Sequence, residues 1–101
     1  MTINKIRQNG DITFELTGRL DTTSAPQLQE ALLPAFDGAD SVTLEFSGLA
    51  YVSSAGLRVL LMGEKTAKSK GVPMRLAGVS EDVMEVFEMT GFADMLTIVQ
   101  G

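Results

Sequence analysis

Histidine, cysteine and tryptophan are all absent from this chain, and two of these absences each close a class of chemistry. Without histidine there is no Ser-His-Asp triad and no imidazole ligand for a metal ion. Without cysteine there is neither a disulfide framework nor thiolate chemistry. A Gly-rich phosphate loop, a dinucleotide fingerprint and a Ser-x-x-Lys pair are missing as well. Thirteen Asp and Glu residues are present, but none follows calcium-loop spacing. Together these gaps weigh against an enzyme and imply no cofactor. Basic residues are also few: eight Lys and Arg leave a net charge of −5 and a pI near 4.5. They are scattered, and the densest group, Lys65, Lys68 and Lys70, fits the solvated last turn of a helix. Broad nucleic-acid binding needs clustered cations, so no nucleic-acid partner is expected. No apolar run approaches the about 20 residues that cross a bilayer, and Met1–Lys5 lacks the features of a signal peptide. The expected setting is the cytoplasm, without direct membrane insertion.

What is present reads as a single small domain over residues 1–101, with 45% hydrophobic and 21% charged residues. A short strand up to Arg7, the turn pair Asn9-Gly10, and the alternation Ile12, Phe14, Leu16 predict an N-terminal hairpin. Ser24 and Pro26 mark a helix start, with Ser24 as the cap, and Pro34 predicts a kink or an early end. Val42, Leu44 and Phe46 predict the next strand, turned at Ser47-Gly48 into Leu49–Val52. A second helix is expected from Ala55 to about Lys68, stopped by Gly71, and a strand over Pro73–Ala77. Ser80-Glu81-Asp82 opens a third helix, with Val83, Val86, Phe87 and Thr90 on one face and Gly91 ending it. Leu96–Val99 predicts a last short strand. The order is ββαβαβαβ, an α/β domain with a mixed, mainly parallel sheet of about five strands covered by helices.

The chemistry converges on Tyr51-Val52-Ser53-Ser54-Ala55-Gly56-Leu57-Arg58-Val59-Leu60-Leu61, where a strand signal gives way to a helical one. A serine at such a junction commonly caps the helix, contributing about 1 kcal/mol. It can equally be an exposed acceptor for modification, because free N–H groups at a helix start favour an anion such as phosphate. Ala55 and Gly56 leave room for another protein's active site. Local spacing leaves both readings open, and the same holds for Asp21 as a turn acid or a functional one.

This junction resembles the central motif of STAS domains, specifically the bacterial anti-sigma factor antagonists. The resemblance extends to Leu16-Thr17-Gly18-Arg19-Leu20-Asp21, Val42-Thr43-Leu44-Glu45-Phe46 and Val86-Phe87-Glu88-Met89-Thr90-Gly91, nearly the whole chain. It implies phosphorylation at Ser54 by a partner anti-sigma serine kinase, with Ser53 as the alternative acceptor, and reset by a PP2C-type phosphatase. Ser53 stands where that family commonly has Asp, and Ala55 stands at its second hydroxyl position. Asp21 matches a family acid that contacts the kinase. Asp21, Thr22, Ser53, Ser54, Ala55, Gly56 and Arg58 are the partner-binding residues so implied. An alternative within the same fold is a STAS scaffold or accessory subunit without a phosphorylation cycle, for example in a membrane-lipid transport complex.

Among other features, Met62, Met84, Met89 and Met95 fall beside apolar positions and are expected to fill core. Arg58 is expected as a solvated helix residue able to meet a partner carboxylate or a phosphate. Tyr51 and Phe46 are expected in the sheet core. Acidity and the lack of heptads favour a monomer.

Overall fold

In the computed structural model, which describes residues 1–99, four strands form one sheet in the order β1-β2-β3-β4. These are β1 (Thr2–Gln8), β2 (Asp11–Leu20), β3 (Ser41–Val52) and β4 (Met74–Ala77), with helices α1 (Ala25–Leu32), α2 (Ser54–Lys70) and α3 (Glu81–Thr90) between and after them. β1 runs antiparallel to β2, and β2, β3 and β4 are mutually parallel. The hairpin forms where Asn9-Gly10 predicts it, with Asn9 taking a left-handed φ of 60°. Ile12, Phe14 and Leu16 are buried while Asp11, Glu15 and Thr17 are exposed, so one face of the sheet is covered and the other faces water. Phe46 and Phe87 meet within the core, ring centroids 6.2 Å apart, and pin α3 to β3.

Among the described residues the strand count is four, not about five. Leu96–Val99 adds only a single parallel bridge, Ile98 to Leu76, held by Leu76 N–H donating to the Thr97 carbonyl and Val99 N–H to the Leu76 carbonyl. Leu96 is buried, but Thr97 and Val99 are exposed on either side of the half-buried Ile98. The segment is anchored at one point, with too little buried alternation to extend the ladder.

Four further expectations shift. Ser47-Gly48 is not a turn: β3 runs unbroken through it, carrying one extra residue between Glu45 and Gly48 and another between Leu49 and Tyr51 relative to β2. Gly48 permits this bulged path, since a Cβ there would lie 2.8 Å from the Leu16 carbonyl oxygen. The second extra residue carries Tyr51 to the solvent side, where it is 41% exposed, while Phe46 is fully buried. Met89 and Met95 lie on the surface and Met62 and Met84 are half-buried, so the methionine that fills the core is Met74. On α3 Val83 and Phe87 are buried, Val86 is half-buried, and Thr90 is exposed.

Pro34 ends α1 early, as its missing N–H dictates, and the chain continues as a 3₁₀ turn over Leu33–Phe36. Gly71 closes α2 with a left-handed φ of 70°. At its other end α2 approaches the sheet so closely that a Cβ on Gly56 would lie 2.6 Å from Leu20 Cγ and 3.1 Å from the Leu20 carbonyl oxygen. Gly56→Ala gains up to about 1 kcal/mol of helix propensity but overpacks the fully buried Leu20 at a cost of about 1–3 kcal/mol. The expected outcome is a net loss of stability, up to about 2 kcal/mol in a urea melt, with an unchanged m-value.

Candidate functional site

The ends of β2 and β3 lie side by side, and the chain leaves each of them directly into a helix. Arg19 pairs with Tyr51 and Leu20 with Val52 in the parallel ladder. One residue further on, Ser53 N–H donates to the Leu20 carbonyl at 2.8 Å. Residues about thirty positions apart in sequence are thereby brought to one edge of the molecule, which groups Asp21 and Thr22 with Ser53–Arg58.

The two serines have separate duties. Ser53 has an extended backbone, and its Oγ accepts the Gly56 N–H at 3.3 Å, so it is the cap of α2. Ser54 is the first residue of the helix, is exposed, and its hydroxyl has no hydrogen-bond partner among the described residues. It sits over first-turn N–H groups that helix geometry leaves without intrahelical acceptors, at the positive end of the dipole. Of the two hydroxyls, then, one is occupied and the other is available.

At the start of α1 the division of labour differs from expectation. Ser24 is not the capping side chain. Its hydroxyl turns back to donate to the Arg19 carbonyl at 2.7 Å and accepts the Asp21 N–H at 2.9 Å. No side chain caps the first turn of α1 itself; Asp21 instead closes the turn that leads into it, its Oδ1 accepting the N–H groups of Thr23 and Ser24, each at 3.1 Å. The carboxylate's short reach to residues two and three positions ahead makes it the better acceptor for this turn. The Ser24 hydrogen bonds foremost, then the Thr23 N–H and the Arg19 guanidinium, hold the Asp21 carboxyl below its ordinary value.

Around these residues Thr22 and Arg58 are exposed, Ala55 is half-buried, and Gly56 is buried beneath them. Thr22, Pro26, Gln29, Ala55, Arg58 and Met62 line a shallow groove of about 230 Å³ between α1 and α2, which reaches Ala55, the residue after Ser54. Arg58 makes no ion pair among the described residues, which leaves its guanidinium free. On the other flank the Arg19 guanidinium lies over the Tyr51 ring, 4.3 Å from its centroid, and its Nε is 3.8 Å from Asp21 Oδ2. Arg19 and Tyr51 are the site residues that sequence reasoning missed. Arg19 lies within the Leu16–Asp21 stretch and was within reach, but Tyr51 depends on the bulge at Ala50, for which the sequence carries no clear signal. Among the described residues no group of three or more Asp and Glu side chains is gathered in a way that would hold a metal ion, and no helix is long and apolar enough to cross a membrane.

Because Asp21 is a stronger acid in the folded chain than in the unfolded one, its contribution to stability is complete above the ordinary carboxylate pKa of about 4. That contribution is lost as the pH falls through the lowered value. Asp21→Ala is therefore expected to melt at a lower temperature than the wild type near neutral pH, with the two curves converging in strong acid. A gap of the same size at about pH 7 and about pH 2 contradicts the assigned charge-dependent turn.

A family model described as Mlab, STAS domain, matches residues 4–99. The anti-sigma-B factor antagonist of Bacillus subtilis is 32% identical, the match covering 97% of this chain and 92% of that protein. The putative anti-sigma factor antagonist BtrV of Bordetella bronchiseptica is 33% identical over 97% of this chain and 84% of its own. Among solved structures, a putative anti-sigma factor antagonist from Thermotoga maritima superposes with a TM-score of 0.89 at 18% identity, over 98% of this chain and 86% of the other. The anti-sigma factor antagonist SpoIIAA in its unphosphorylated form gives 0.82 at 17% identity, over 98% and 89%. At such identities the superpositions speak for the fold, and the family model and the two sequence relatives speak for descent. The chain belongs to the STAS domain family, of which the bacterial anti-sigma factor antagonists are members.

Proposed function

We propose that this protein is an anti-sigma factor antagonist whose partner binding is switched by phosphorylation of Ser54. In this reading the unphosphorylated chain docks its Ser54 edge on an anti-sigma serine kinase and displaces the bound sigma factor. The kinase then phosphorylates Ser54 and the complex parts; a PP2C-type phosphatase restores the free hydroxyl. The protein acts in the cytoplasm as a monomer between encounters, as a regulator and not an enzyme. The observation that carries the reading is the free, exposed Ser54 hydroxyl beside a groove, while its neighbour is committed to the cap. Two relatives about one-third identical bear antagonist names, and SpoIIAA is known in both an unphosphorylated and a phosphorylated form.

Charge arithmetic supports a switch without refolding. Phosphorylation adds about −1.5 to −2 charge at neutral pH. At the first residue of α2 the helix dipole favours that charge, so the domain tolerates it. In a docked interface the same phosphate must lose water, which costs several kcal/mol without a cationic partner. Shifting a partner from 99% to 1% bound takes about 5.5 kcal/mol, within the reach of one buried phosphate. Asp21, Thr22, Ala55 and Arg58 contribute contacts around the acceptor, and Gly56 sets how closely α2 lies against β2. The scaffold reading, without a phosphorylation cycle, draws on one observation: Ser53 stands at the position of the family acid and spends its hydroxyl on the helix.

Paired variants separate the two readings. Ser53→Ala is expected to lose about 1 kcal/mol of stability through the missing cap yet to accept phosphate from the partner kinase and ATP. Ser54→Ala is expected to fold within about 0.5 kcal/mol of the wild type and to accept none. Ser54→Asp should bind the kinase at least tenfold more weakly, about 1.4 kcal/mol. Phosphate mapped on Ser54→Ala, or undiminished binding by Ser54→Asp, overturns the switch. A stable partner complex with no kinase-dependent phosphate supports the scaffold.

A further inference from the structure

At the end of α2 remote from Ser54, roughly 15 Å along the helix from it, a second groove of about 390 Å³ opens between the helix and β4. Its floor is apolar, formed by Ala67, Val72 and Met74. Glu64 also lines it, and this residue is only 6% exposed. Burial on that scale is rare for a glutamate unless it is paired. Yet the Glu64 carboxylate has no hydrogen bond and no ion pair among the described residues, where the ion pairs are Arg19 with Asp21 and Lys70 with Asp37. Among the described residues no side-chain nitrogen or oxygen is both sealed from solvent and without a partner, so the Glu64 carboxylate keeps its access through the groove that it lines. Lys68 and Arg75 stand at the rim, both exposed and neither within ion-pair distance of Glu64.

We infer that this groove is a binding site for a guanidinium group that carries a carboxylate nearby. The guanidinium is the cation suited to a carboxylate that reaches solvent only through a groove from an otherwise buried side chain: its planar fork matches two oxygens at once, and it is more weakly hydrated than an ammonium. The apolar floor accommodates the aliphatic stem of an arginine side chain. The two rim cations would repel a bare cation, and they turn to advantage when the ligand brings its own acid group. The C-terminal end of α2, with its negative dipole end closed by Gly71, adds a favourable field for the cation. Two sources present this chemistry: free arginine and an arginine–acid segment of a partner protein. The site is independent of the phosphorylation reading and lies on a different end of the domain.

The test is a titration of the ¹⁵N-labelled full chain, followed by amide shifts, with L-arginine, with the capped dipeptide N-acetyl-Arg-Asp-amide, and with L-lysine. Saturable shifts are expected at Ala67, Gly71, Arg75 and Thr97, with L-lysine weaker than L-arginine. Glu64→Gln should retain a folded spectrum and weaken binding at least tenfold. Binding of L-arginine alone identifies a small-molecule site, and binding of the dipeptide alone identifies a partner segment. No saturable shift with either probe, or equal affinity in Glu64→Gln, overturns the inference. Glu64→Leu guards against a purely structural role: a more stable protein that no longer binds supports the site. If Glu64→Leu is less stable and no arginine probe binds, Glu64 serves Lys68 or Arg75 internally, and the inference fails.

Discussion

The hydrogen bond from Ser53 N–H to the Leu20 carbonyl holds the start of α2 against the end of β2, and the candidate site is built on it. Leu20 is fully buried, and its side chain fills the space that a Cβ on Gly56 would need. Its flanking residues, Arg19 and Asp21, are thereby set beside Tyr51 and the two serines. A buried leucine thus fixes the geometry of a polar surface. Any loosening there would act on Asp21, the α2 cap and the Ser54 hydroxyl together, because all three hang on the same few backbone bonds.

Rigidity at this edge matters for the proposed switch. The Ser54 hydroxyl is presented by a helix start whose cap and close packing are satisfied without it. Adding or removing a phosphate there therefore leaves the supporting hydrogen bonds intact, and its effect falls on whatever is docked. The opposite end of α2 has the reverse character: Glu64 is buried in the packing face, and its carboxylate, open only to a groove, finds no partner within the described residues. One end offers a group that fold stability does not require, and the other holds an unpartnered side chain that fold stability alone does not explain.

Much of the domain follows from short-range chemistry and was legible in the residues. Asn9-Gly10, Pro34, Gly71, Gly91 and the Ser80 cap act within a few positions of themselves, and each behaves as its local rule states. Period-two and helical patterns likewise marked β2, α2 and α3. Ser24 misled because a serine before Pro26 fits a cap, while in the fold its hydroxyl is drawn back to the Arg19 carbonyl and the Asp21 N–H, and Asp21 closes the turn ahead of the helix. Leu96–Val99 misled because a β-rich tetrapeptide resembles a strand whether or not a sheet edge pairs with all of it. Glu64 left a readable trace, lying four residues after Leu60 and seven after Leu57, in phase with the buried face of α2.

By itself the sequence determined the class of fold, the order of its main elements, the absence of histidine and cysteine chemistry, and the junction at Ser53-Ser54. These depend on composition and on contacts within one or two turns of chain. Tertiary structure alone decided which serine caps and which is free, that β3 bulges twice and turns Tyr51 outward onto Arg19, and that Glu64 is buried without a partner among the described residues. Each of those outcomes rests on register and packing between segments far apart in the chain. A one-residue shift in a strand, or the approach of a helix to within a methyl group's width of its neighbour, reverses what a side chain faces without changing any local pattern.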